Sequence, residues 1–202
     1  MPTSTPLAII EHDWFVSRAY HTYLCAQPEF DCVLVVRSVE QLLAELPTAT
    51  RPPQLVLTSL DLPGLTTANG IQTLRQAVPG VAVVLIASLG DANLLFQALH
   101  AGAVGYVLVS NHLREMKATL LDVLAGGAPM SPAIARHLVR HFQQGFSTKG
   151  LTVDEQKLIQ TIGEGLSYRL AAEQLGISLQ ALRVGIRQLY AKLSGNPELV
   201  NG

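Results

Sequence analysis

Five short apolar runs, rich in β-branched residues, restrict what this chain can fold into. They are Leu7–Ile10, Cys32–Val36, Leu55–Thr58, Val81–Ala87 and Gly105–Val109. None alternates apolar with polar, as a strand with one wet face would. Strands of a parallel sheet covered by helices on both faces read this way. The stretches between them carry helical spacing. Phe15, Ala19, Tyr20, Tyr23 and Leu24 form one stripe, Leu94, Leu95, Ala98 and Leu99 a second, and Leu113, Met116, Leu120, Leu121 and Leu124 a third. Repeated strand–helix units with right-handed crossovers predict an α/β doubly wound, five-stranded parallel sheet. Ligands of such sheets bind at the carboxyl ends of the strands, so function is sought there.

That sheet uses little more than half of the 202 residues, which leaves room for a second small domain. Charge divides the chain in the same way. Residues 1–125 carry 6 basic and 10 acidic side chains, 126–149 carry Arg136, Arg140 and Lys149 with no acid, and 150–202 carry 5 of each. An acidic front and a less acidic back predict two jobs on one chain. We expect residues 1–127 as the first domain, 128–149 as a linker helix and hinge, and 150–202 as the last domain. The Met1 end has no basic run before a long apolar stretch, and no window holds the ~18 apolar residues of a membrane helix. The expectation is a cytoplasmic protein. Cys25 and Cys32 are the only cysteines and are read as two buried thiols.

The linker reading rests on Ser131-Pro132, a cap followed by proline at the first helical position. Ile134, Leu138 and Phe142 then share a face, while Arg136 and Arg140 lie on another. His137 and His141 are four apart, but no third ligand accompanies them, so no metal is expected. In the last domain Thr152 and Glu155 predict a capping box. Leu158, Ile159 and Ile162 form the inner stripe of that helix, and Gly165 ends it. Ser167 caps a second helix with Leu170, Ala171 and Leu175 inward. Gly176 makes a tight turn, and Ser178 caps a third helix with Leu182, Ile186, Leu189 and Leu193 inward. Short helix, glycine turn and longer helix is the helix-turn-helix pattern.

Three motifs make a resemblance specific: Leu60-Asp61-Leu62-Pro63-Gly64 after the third strand, Ala101–Tyr106 before the fifth, and Leu124–Pro132 after the last helix of the sheet. With the strand order they resemble the NarL/FixJ type of response regulator, a flavodoxin-like receiver followed by a LuxR-type helix-turn-helix. Gly165-Leu166-Ser167, Ala171–Ser178 and Leu189–Leu193 resemble that second domain. Receivers of this family accept a phosphoryl group from a histidine kinase on an aspartate. Two further acids hold Mg²⁺, and a lysine and a hydroxyl hold phosphate oxygens. Carried over by position, the acceptor is Ser59, the acid pair Glu11 and His12, the hydroxyl position Ala87 and the lysine position Val109. The resemblance therefore implies a pseudo-receiver with weak or absent Mg²⁺ binding and no other cofactor. Asp61, displaced from the family's acceptor position, is the alternative acceptor and needs a rebuilt loop. Leu65–Gly70 also exceeds the family's usual connection by about two residues. Asp13 is a second displaced carboxylate. Tyr106 matches the aromatic switch position and, with Ala87 in place of a hydroxyl, is read as a packing or partner-contact residue.

The same resemblance places Ser178–Leu193 in the major groove of double-stranded DNA. Gln180 and Arg183 would read base edges, with Val184 beside them, and Arg187, Lys192 and Arg169 would meet phosphates. Gly185 inside this helix is read either as close backbone approach to DNA or as a neutral replacement. The expected function is a phosphorylation-independent transcription regulator, not an enzyme. It would be a homodimer controlled by dimerisation, a ligand, or a partner regulator or kinase, with no membrane partner. The alternatives are an interaction module that does not bind DNA, and a phosphorylated regulator using Asp61.

Overall fold

In the computed structural model the residues described are 4–60, 62, 67–87, 94, 97–99, 101–109, 112–125, 151–164 and 168–194. The five apolar runs form strands β1 Thr5–Ile10, β2 Phe30–Val36, β3 Leu55–Ser59, β4 Ala82–Ala87 and β5 Gly105–Leu108. All pair in parallel, in the order β2-β1-β3-β4-β5. Leu7, Ile9, Leu55, Leu57, Val84 and Leu85 are fully enclosed, because the central strands are covered on both faces. The helices of this part are α1 Trp14–Leu24, α2 Val39–Glu45, α3 Thr67–Ala77 and α4 Leu113–Leu124, with a 3₁₀ turn at Leu46–Thr48. Leu94 and residues 97–99 are also helical.

Several side chains lie differently from their expected stripes. On α1 the buried face is Tyr20 and Leu24, with Val16 and Tyr23 against the core, while Phe15 is 78% exposed and Ala19 is exposed. The stripe spans more of the helix than one packing face can bury, so its edge stays wet. On α4 the buried residues are Met116, Leu120 and Val123, and Leu124 is exposed. Leu94 is exposed, whereas Ala98 and Leu99 are buried. Thr67–Gly70, expected as part of a long connection, form the first turn of α3. Cys25 and Cys32, expected as separate buried thiols, are partly exposed and joined in a disulfide. Helix α1 runs back along β2, and this brings the two Cα atoms to 5.7 Å.

The chain divides into two compact units, Met1–Leu124 and Ala125–Gly202. The second holds α5 Val153–Gly163, α6 Tyr168–Leu175 and α7 Leu179–Ser194. The expected capping box is present at Thr152 and Glu155. Leu158, Ile162, Ala171, Ala172, Leu182, Ile186 and Leu189 make the core of this unit. Leu170, expected inward, is 51% exposed, and Ala172 packs in its place. Gly176, at φ +65°, ends α6. The Ile177 N–H reaches the Ala172 carbonyl and the Gly176 N–H the Glu173 carbonyl, which satisfies two helix-end acceptors. Ser178 Oγ then accepts from the Ala181 N–H at 3.0 Å and opens α7. The linker helix and its histidines, Gly165 and Ser167 lie outside the described residues. No helix among the described residues is long and apolar enough to cross a membrane.

Candidate functional site

Glu11 leaves the end of β1 and is 4% exposed. A buried carboxylate must have its oxygens satisfied. Oε1 accepts the Asp13 N–H at 2.9 Å and lies 3.3 Å from His12 Nδ1. Oε2 accepts the hydroxyl of Ser59, the last residue of β3. Asp13 is occupied elsewhere, since its Oδ1 caps α1 by accepting from Phe15 and Val16. The strand ends thus bring Glu11 and Ser59 together, with His12 on the solvent side. Ala87 closes β4, 1% exposed. Val109 follows β5, hydrogen-bonds its N–H to the Ala87 carbonyl at 3.0 Å and is 59% exposed.

A divalent cation in such a pocket needs oxygen ligands with free lone pairs, several of them anionic. Each Glu11 oxygen already accepts a hydrogen bond and Asp13 Oδ1 caps a helix, so a cation here would compete with these donors for the same carboxylates. Among the described residues no group of three or more His, Cys, Asp or Glu could hold a metal. Asp61 lies outside them. Tyr106 is 4% exposed on β5, opposite Leu85. Two neighbours of the pocket were not singled out from sequence. Thr58 is buried beneath Ser59, and Arg37, just past β2, donates from Nη2 to the His12 carbonyl at 3.1 Å. Position immediately after a strand was the signal for Arg37. Tyr20 is pushed above the ordinary tyrosine range by burial and then by the Glu11 charge.

On α7, Gln180, Arg183 and Val184 are exposed on one side, at spacings that share a helix face. Arg187 continues that spacing on α7, and its side chain lies outside the described residues. Arg169 is exposed on α6. Lys192 is an ion-pair partner, its Nζ 2.8 Å from Glu155 Oε2. Burial would raise the Glu155 carboxyl, but the Lys192 ammonium and the Thr152 backbone and hydroxyl outweigh it and hold the group below the usual range. Gly185 is half-buried on the side of α5. A Cβ there would sit 3.2 Å from Leu158 Cδ2, so this glycine leaves room for α5.

A doubly wound sheet with an acid–hydroxyl pair at its strand ends, followed by a helix-turn-helix unit, defines a receiver-and-effector architecture. The response regulator receiver domain pattern matches residues 7–121. The chain belongs to the response regulator family. It is 26% identical to the transcriptional regulatory protein UhpA of Escherichia coli over 93% of this chain and 90% of that protein. It is 31% identical to the transcriptional activator ExaE of Pseudomonas putida over 74% of this chain and 73% of that protein. The fold also matches RcsB of Salmonella typhimurium, with a TM-score of 0.61 at 16% identity, covering 98% of this chain and 97% of that one. An RcsB–DNA complex matches with a TM-score of 0.60, likewise at 16% identity and over 98% of this chain and 97% of that one.

Proposed function

We propose that this chain is a DNA-binding transcription regulator of the two-component type whose receiver unit works without phosphoryl transfer. The observation that carries the DNA reading is α7. It follows a capped glycine turn, bears Arg183, Arg187 and Lys192 with no acid, and turns Gln180 and Arg183 outward. Such a helix suits base edges and phosphates of the major groove. Curated relatives named as transcriptional regulators support it. Lys192 would have to leave Glu155 to meet a phosphate, which ranks it behind Arg187 and Arg169.

The receiver reading is supported by the Ser59 hydroxyl occupying the Glu11 carboxylate, and by Ala87 and Val109 at positions that offer no phosphate donor. In this reading residues 1–127 respond to dimerisation or to a ligand, partner regulator or kinase. Residues 128–149 link them to the DNA-binding unit at 150–202. The protein works in the cytoplasm as a homodimer, since one three-helix module makes few contacts.

Leu170, Ile177 and Leu179 are exposed apolar residues in the same unit, and they favour a second reading, an interaction module without DNA. A gel-shift salt series on selected duplexes separates the two. A DNA binder loses affinity steeply with salt, Arg183→Ala costs about 1–3 kcal/mol, and Arg187→Ala lowers the salt slope by about one. A flat salt response with an unaffected Arg183→Ala variant supports the interaction module.

A further inference from the structure

We propose that Cys25 and Cys32 form a redox-modification site. Thiol–disulfide exchange with a low-molecular-weight thiol couple would open and close it, and so set the order of the α1–β2 loop. Both cysteines are partly exposed, so a small thiol can reach them. In a reducing compartment a bond of this kind is characteristically transient, catalytic or redox-sensing. That step alone rests on the cytoplasmic setting proposed above.

The bond joins the end of α1 to an irregular point inside β2. Cys25 is the C-cap of α1, its N–H on the His21 carbonyl at 2.9 Å. Cys32 pairs with Leu7 just before the β1–β2 register slips, since Ala8 pairs with Leu34 and Val33 is the extra residue. A bulge of this kind interrupts the ladder and lets the strand bend. The loop between the cysteines has other ties. The Thr5 N–H reaches the Glu29 carbonyl at 2.8 Å, and Gln27 Nε2 donates to the Tyr23 carbonyl at 3.0 Å. The Gln27 N–H reaches the Leu24 carbonyl at 3.0 Å, and the Phe30 N–H reaches the Gln27 carbonyl at 3.2 Å. Lys117 on α4 holds Gln27 Oε1 at 2.9 Å and Glu29 Oε1 at 2.8 Å. Ala26 and Gln27 also line an open groove of about 590 Å³ with Phe15, Arg18, Tyr23 and Leu113. Reduction would therefore loosen a wall of an exposed groove.

The exchange balances in two steps. A thiolate of the couple attacks one sulfur of the Cys25–Cys32 bond and gives a mixed disulfide and one cysteine thiolate. A second thiolate attacks the small-molecule sulfur and releases a small disulfide. The two thiols of the couple supply the two electrons, and both cysteines end as thiols once protonated.

The test equilibrates the full chain in glutathione buffers from reduced to oxidised, counts thiols by alkylation and mass, and measures amide exchange in both end states. The pair should pass from dithiol to disulfide within the series. Amides in the Leu24–Phe30 segment should exchange about tenfold faster in the dithiol state. Cys25→Ser and Cys32→Ser should show the faster rate in both buffers, and the wild-type states carry the test if either variant fails to fold. A pair that stays oxidised in reduced glutathione, stays reduced in oxidised glutathione, or exchanges equally in both states overturns the proposal. No DNA enters these readouts, so their failure leaves the regulator reading untouched.

Discussion

Ser59→Ala removes the hydroxyl that Glu11 Oε2 accepts. Glu11 is 4% exposed, so water cannot freely replace the lost donor. A hydrogen bond to a charged group contributes about 1.5–3 kcal/mol, and the buried acceptor is then left short of a partner. We take about 2 kcal/mol as the expected loss in the receiver unit. At about 2 kcal/mol per M of urea, the unfolding midpoint falls by about 1 M. Trp14 is the chain's single tryptophan. It lies on α1 with its ring 5.0 Å from Phe15 and the Arg18 guanidinium 5.2 Å from its centroid. Its fluorescence therefore reports this unit and not the helix-turn-helix. The double cycle with Glu11→Leu, which removes the acceptor, isolates the pair, and its coupling should be about 1 kcal/mol or more. A coupling under about 0.3 kcal/mol, the error of additivity between independent sites, refutes the claim that Ser59 holds the Glu11 carboxylate.

Two further outcomes concern the C-terminal unit. Gly185→Leu drives a side chain into Leu158 and should cost about 1–3 kcal/mol by circular dichroism melting. An unchanged melt would mean that Gly185 faces outward. Glu155 has a lowered folded pKa, so its contribution is full above the ordinary glutamate value of about 4.3 and is lost as pH falls through the lowered one. Helical stability of this unit should therefore fall toward acid, and Lys192→Met should flatten that limb. A limb that Lys192→Met leaves unchanged contradicts the Glu155–Lys192 pair.

The sheet was legible because each strand is one continuous apolar run, and central strands such as Leu55–Ser59 tolerate nothing else. The capping box at Thr152 was legible because its two side chains are three residues apart and act locally. What escaped were facts about neighbours distant in sequence. Nothing local to Gly185 says that Leu158 packs against it. Nothing in the spacing of Cys25 and Cys32 says that α1 folds back to bring them together. The pocket was half legible. The resemblance pointed to Glu11, Ser59, Ala87 and Val109 as the strand-end positions, but not to Ser59 satisfying Glu11, nor to Asp13 being spent on the cap of α1. Phe15 was misplaced because helical spacing gives a stripe without saying which edge a neighbour covers.

DNA binding without phosphoryl control is tested directly by fluorescence anisotropy on a selected duplex, with and without acetyl phosphate and Mg²⁺. A steep salt dependence is expected, with a log–log slope of about −4 or steeper for a dimer, because released counterions dominate the affinity. The phosphodonor should change the Kd by less than about twofold, under about 0.5 kcal/mol. A tenfold tightening with the phosphodonor that Asp61→Asn abolishes, or a salt-independent signal, would contradict DNA binding without phosphoryl control.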